Sequence, residues 1–237
     1  MTGTVLNMIT VFIGGSLGML VGARLPDRMR QTVVAGLGLF TATIGVQMFL
    51  KTENAIIVLG SLLVGGLLGE WWKIEDGLRG LGAYLERRFT SHPENRDGSR
   101  FIRGFLAASL LFCVGPMTIL GSIQDGLSGD YNLLAIKSVL DGFAALAFAS
   151  TLGVGVLFSI PVILVYQGGL SLLAAQAQAV TTPAMMNEMT AAGGILLIGL
   201  AFSSLLEIKS IRVGNFLPAL LAAPIIVAIL TALHIGY

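Results

Sequence analysis

Apolar runs separated by short polar clusters dominate this chain, and their lengths are the first guide to its fold. A helix crossing the hydrocarbon core of a bilayer needs about 20 mostly apolar residues. Such runs lie near residues 4–22, 31–50, 54–70, 104–124, 133–151, 154–175, 188–206 and 215–235. They predict an all-α polytopic transmembrane bundle of about eight helices, forming a single integral membrane domain over residues 1–237. The Gly-rich join at Gly153 and Gly155 is the least sharp boundary, and a pair of re-entrant segments around 133–175 is an alternative that keeps the same parity.

The one extended polar stretch runs from Trp71 to Arg103, too short for a separate domain. Within it Trp71, Ile74, Leu78, Leu81 and Leu85 recur at helical spacing, whereas Glu75, Asp76, Arg79, Glu86 and Arg87 point elsewhere. That pattern suits a helix lying in the membrane interface. Ser91 to Ser99, with His92, Pro93 and Gly98, reads as a mobile loop.

Composition changes the picture by exclusion. With 55% hydrophobic and 11% charged residues and a mean hydropathy of +0.87, the chain is too apolar to cover the surface of a soluble enzyme, and nucleic acid is not a partner. The charges matter through their placement. With the N-terminus outside, Arg24, Arg28, Arg30, Lys73, Arg79, Arg87, Arg88, Arg96, Arg100, Arg103, Lys209 and Arg212 fall on the cytoplasmic side; Lys51 lies outside and Lys137 at the outer end of a helix. This bias favours both termini outside. The first run lacks a preceding Lys or Arg and a small-residue cleavage site, so it reads as a retained helix. Cys113 is alone in an apolar run, and His92 and His234 lie apart. Neither a metal site nor a cofactor is predicted.

Glycines form stripes on two helices: Gly14, Gly18 and Gly22 on the first, and Ser61, Gly65 and Gly69 on the third. Such small-residue faces let helices approach closely, within the chain or in a homo-oligomer. Gly18, central in its stripe, is expected to tolerate leucine less well than Gly155 near the join. Gly14 to Gly18 also fits a G-x-S-x-G pattern, but inside a helix and without a His partner it carries no hydrolase chemistry. A loose match of Met29–Leu39 to Met186–Leu196, in oppositely directed spans, is what an inverted repeat would give and is close to chance.

Ionisable groups inside spans cost about 2.5–3.5 kcal/mol at the bilayer centre, so each needs a reason. They gather in the second half. Pro116 and Thr118 interrupt the fourth run, where a missing backbone donor frees carbonyls beside a cavity or marks a broken helix. Ser122, Gln124 and Asp125 follow, then Lys137, Ser138 and Asp141 on the fifth run and Gln167 on the sixth. Together they are the candidate solute or ion pathway; cross-linking of helices is the structural alternative. Asn7, Thr41, Thr43, Gln47, Glu188, Thr190, Asn215 and Pro218 read individually as packing groups.

Several of these residues carry a resemblance. Arg24-Leu25-Pro26 with Arg28 and Arg30, Gly126 to Asp130, Lys137-Ser138 with Leu140-Asp141, Phe148-Ala149 with Leu152-Gly153, Thr181-Thr182-Pro183 with Met185-Met186, and Asn215 with Leu217 to Leu221 together resemble the YqgA/YdfK-type bacterial membrane proteins, domain of unknown function 554. The resemblance covers nearly the whole chain and implies a multi-pass protein of the bacterial inner membrane. It supplies no substrate. The residues favour a transporter or channel for a small solute or ion, with the lipid bilayer and possible further copies of the chain as partners, over a non-transporting scaffold. An intramembrane aspartyl-type enzyme using Asp125 and Asp141 ranks last, because paired catalytic motifs are absent and Lys137 is an awkward neighbour for such a dyad.

Overall fold

The computed structural model describes residues 1–24, 26–89, 100–113 and 116–234. The expected loop at Ser91–Ser99 lies outside them. In chain order the helices are α1 (Thr2–Gly22), α2 (Asp27–Phe49), α3 (Ala55–Trp72), α4 (Ile74–Phe89), α5 (Arg100–Cys113), α6 (Pro116–Ser128), α7 (Asn132–Leu152), α8 (Ile160–Leu172), α9 (Ala174–Val180), α10 (Pro183–Leu200) and α11 (Ala219–Ala232). Short 3-10 turns occupy Gly153–Ser159 and Val213–Phe216, a π turn extends α10 over Ala201–Leu205, and no strand occurs among the described residues.

Burial runs opposite to that of a soluble protein. Phe143, Val165 and Leu67 are 70%, 75% and 74% exposed, whereas Asn7 and Glu188 are 0% and Gln167 1% exposed. Apolar side chains facing outward and polar ones facing inward are what a lipid solvent selects. Among the described residues six helical stretches are long and apolar enough to cross a membrane, and the bent pair Arg100–Cys113 and Met117–Ser128 makes a seventh. One of the six, 132–172, contains two crossings. Asp141 and Gln167 would be about 39 Å apart along a straight helix, yet both accept from the same Asn7 nitrogen, at 2.9 and 3.0 Å. The chain reverses at Gly153, whose φ of 80° and ψ of −156° suit a residue without a side chain. The seven residues of 3-10 turn and thirteen of α8 then return over about 33 Å, a full crossing. The described residues therefore form about eight spans.

The chain divides into two compact units. The first comprises Met1–Leu37 and Arg79–Ala179. Its centre is the contact of α1 with α7, which run parallel in constant register: a Cβ on Gly14, Gly18 or Gly22 would strike the carbonyl oxygen of Gly142, Leu146 or Ser150, each 128 positions later. The stripe is thus used inside the chain, where glycine lets Cα–H groups meet backbone carbonyls directly. The 3-10 turn and antiparallel α8 close on α1, with Leu157 of the turn against Gly15 and Gly168 of α8 near Met1 and Thr4. The expected contrast between Gly18 and Gly155 does not hold, since a Cβ on Gly155 would lie 2.7 Å from the Phe101 carbonyl carbon.

The second unit comprises Gly38–Leu78 and Val180–Tyr237. Here α3 runs antiparallel to α11, with Gly65 against Ala219 and Gly69 against Asn215, and the C-terminal part of α2 crosses α10 where Gly45 meets Gly194. Ile13-Gly14-Gly15-Ser16-Leu17-Gly18 in α1 and Val64-Gly65-Gly66-Leu67-Leu68-Gly69 in α3 share one pattern, and Leu146-Ala147-Phe148-Ala149-Ser150 and Leu200-Ala201-Phe202-Ser203-Ser204 share another. The two glycine patterns are nonetheless used differently, the α1 stripe packing parallel on α7 and the α3 stripe antiparallel on α11.

Helix α4 is amphipathic as its spacing predicts. Leu81 and Tyr84 are exposed, while Glu75 and Glu86 are buried. With exposed Trp71 and Trp72 ending α3, the aromatic and leucine side chains are presented as at a membrane interface.

Candidate functional site

The buried faces of α1, α7 and α8 follow helical spacing. They carry Thr4, Asn7 and Val11; Leu134, Ser138, Asp141 and Ala145; and Ile163, Gln167 and Ser171. Because α1 runs beside both partners, the polar members of the three faces meet in the first unit. Asn7 is the hub. Its Nδ2 donates to Asp141 Oδ2 at 2.9 Å and to Gln167 Oε1 at 3.0 Å. Gln167 Nε2 donates in turn to Thr4 Oγ1 at 3.3 Å. Lys137 Nζ, one turn before Asp141, donates to the same Asp141 Oδ2 as a buried ion pair. Ser138 stands beside them but donates to the Leu134 carbonyl at 2.7 Å.

Electrostatically the cluster is a neutral pair with an amide relay. An isolated charge here is costly, and apolar residues of similar volume usually stabilise at least as well as a buried pair. Asn7 Oδ1 and Ser171 Oγ are buried without a hydrogen-bond partner among the described residues. Asn7 Oδ1 thus keeps acceptor capacity beside the Asp141 carboxylate.

The interrupted fourth span lies nearby but does another job. The axes of its two parts differ by 60°; Val114 and Gly115 are outside the described residues, and Pro116 begins α6. Thr118 Oγ1 donates across the break to the Phe112 carbonyl at 3.3 Å, and Ser122 Oγ to the Thr118 carbonyl at 2.5 Å. The Thr118 hydroxyl thus serves a carbonyl that Pro116, lacking an N–H, leaves free, whereas Ser122 back-bonds within α6. Asp125 Oδ2 accepts the Gly3 N–H at 3.1 Å at the start of α1, and its Oδ1 lies 3.1 Å from the Met1 amino group. Gln124 is exposed and turned away from the cluster. Of the nine candidate pathway residues, the structure joins Lys137 to Asp141 directly and Gln167 to Asp141 through Asn7, and adds Thr4.

Two further polar centres hold the second unit. Glu188, fully buried, receives Thr52 Oγ1 at 2.6 Å and the Glu53 and Asn54 N–H groups at 2.8 and 3.1 Å, and so anchors the turn that leads into α3, whose own N-cap is Asn54. At the other end of α3, Glu75 Oε2 accepts Gly214 N–H, Asn215 Oδ1 accepts Glu75 N–H, and Asn215 Nδ2 donates to Glu70 Oε2. The hydrogen bonds named here tie together the segments at the two ends of α3, a structural use of these polar groups. Among the described residues no three His, Cys, Asp or Glu side chains gather as metal ligands.

The comparisons agree with this architecture. The family model described as "Protein of unknown function (DUF554)" matches residues 2–228. The chain is 36% identical over 222 residues to "Uncharacterized protein YqgA" of Escherichia coli (strain K12), covering 93% of this chain and 94% of that protein. It is 28% identical over 241 residues to "Uncharacterized membrane protein YdfK" of Bacillus subtilis (strain 168), covering both in full. No solved structure matches. A family match from residue 2 to residue 228 and outward-facing apolar helices together identify a membrane protein that belongs to the DUF554 family.

Proposed function

We propose that the protein is a transporter or channel for a small solute or ion in the bacterial inner membrane, and that Lys137, Asp141, Asn7 and Gln167 form its polar pathway. The observation that carries this reading is the buried Lys137–Asp141 pair linked through Asn7 to Gln167, with Asn7 Oδ1 still able to accept. Packing alone does not require charge at this position. A solute that presents a hydrogen-bond donor or a positive charge can meet the Asn7 and Asp141 oxygens, while Lys137 neutralises the carboxylate in its absence. We assign no enzymatic step, because Asp125 and Asp141 have separate donors in Gly3 and in Asn7 and Lys137.

Flux in proteoliposomes, screened over ions, amino acids and small organic acids, tests the reading. Asp141→Asn is expected to abolish flux in folded protein, and Lys137→Met to alter its ion or pH dependence. A Lys137/Asp141 double apolar variant that stays folded and fully active removes the pair from the mechanism. Folded wild-type protein without flux across the screen favours a scaffold whose cluster only cross-links helices.

A further inference from the structure

A second feature lies in the second unit and shares no residue with the proposed pathway. Where α10 ends, its π turn and the following 3-10 turn leave a crevice of about 240 Å³ lined by Leu62, Ile195, Gly199, Phe202, Ile211 and Val213 among others, all apolar. At roughly 30 Å³ per water-sized group this takes on the order of eight methylenes. The walls are fixed. Ser203, in the π turn, donates to the Ile211 carbonyl at 3.1 Å and accepts the Ile211 N–H at 3.2 Å. Phe202 stands 39% exposed at the crevice, so it is open to the surroundings of the unit. π turns inserted in helices recur at functional sites.

Two basic residues flank the crevice along the chain. Arg212 lies between two lining residues, Ile211 and Val213, and its side chain is 60% exposed. It gives one Nη1 hydrogen bond to Glu70 at 2.7 Å, out of five guanidinium donors. Lys209, two residues before Ile211, is exposed. An apolar crevice with two exposed cations beside it in the chain matches one class of molecule. We infer that the crevice binds an acyl chain of an anionic phospholipid, with the phosphate against Arg212 and Lys209. A neutral lipid would fill the slot but gain nothing from the cations, and a free phosphate would gain nothing from the slot.

Native mass spectrometry of the full chain, released from detergent with equimolar phosphatidylglycerol and phosphatidylethanolamine, tests this independently of transport. One phosphatidylglycerol per chain is expected, with about tenfold preference over phosphatidylethanolamine. Gly199→Leu should lose the lipid, because a Cβ there meets only Val213, at 3.2 and 3.9 Å, and the side chain extends into the crevice. Lys209→Gln with Arg212→Gln should retain one lipid but lose the preference. Equal retention of both lipids by the wild type, no retention, or undiminished phosphatidylglycerol on folded Gly199→Leu would overturn the inference. Should Gly199→Leu not fold, the double variant decides through exposed side chains alone, and an unchanged preference in it rejects the site.

Discussion

Asn7 shows how little a residue's own identity says about its weight. Replacing it by leucine removes both Nδ2 donors and leaves Asp141 and Gln167 each short of a buried partner. Leaving buried polar groups unmade costs about 1–3 kcal/mol each, so Asn7→Leu should lower the thermal midpoint in detergent clearly more than Gln124→Leu, whose side chain is exposed. Equal midpoints for the two variants would contradict the hub. Lys137, Asp141 and Gln167 were legible in the sequence because charge and amide inside an apolar run need a reason. Asn7 was not, since its partners lie 134 and 160 positions away. Gln124 and Asp125 are adjacent in sequence and look alike as candidates; helical phase alone sends one outward and the other to the start of α1.

At the scale of elements, close backbone approach decides which glycines matter. Gly18→Leu and Gly155→Leu both drive a side chain into backbone, at the Leu146 and Phe101 carbonyls respectively. Each should cost at least about 3 kcal/mol, the upper end for overpacking, while Gly77→Ala, with nothing within 4 Å, should be silent or slightly stabilising within its helix. Thermal unfolding of the three variants checks the order. Capping gives a second expectation. Glu188→Leu strips three donors at the α3 N-terminus of their acceptor and should destabilise more than Asn54→Ala, which removes one cap bond to Ile56 worth about 1 kcal/mol. Near-equal losses would argue against Glu188 as the principal anchor of the α2–α3 turn. Helix positions were read well from hydropathy and helix ends less well. Helix α10 begins at Pro183, five residues before the apolar run, because Thr182 accepts the Met185 N–H and Pro183 suits the first turn. Polar caps of this kind sit outside any apolar window.

At the scale of the whole molecule, the number of crossings fixes which segments share a side of the membrane. Ser128 follows the fourth crossing and Ser210 the seventh. If the stretch 132–172 crosses twice, three crossings separate them and they face opposite sides. If it crossed once, only two would separate them and they would face the same side. The shared contact of Asp141 and Gln167 with Asn7 requires the first arrangement, and the parallel register of α1 with α7 agrees, since first and fifth spans must run in the same sense. Both serines are exposed, so Ser128→Cys and Ser210→Cys, introduced singly after Cys113→Ala, report directly. A membrane-impermeant maleimide applied to intact cells should label Ser128→Cys and should reach Ser210→Cys only after the membrane is permeabilised. Labelling of both from one side would undo the reversal at Gly153 and the eight crossings that depend on it. Labelling from opposite sides but in the reverse order would keep the fold and overturn only the orientation, which rests on the excess of Lys and Arg in the loops assigned to the cytoplasm.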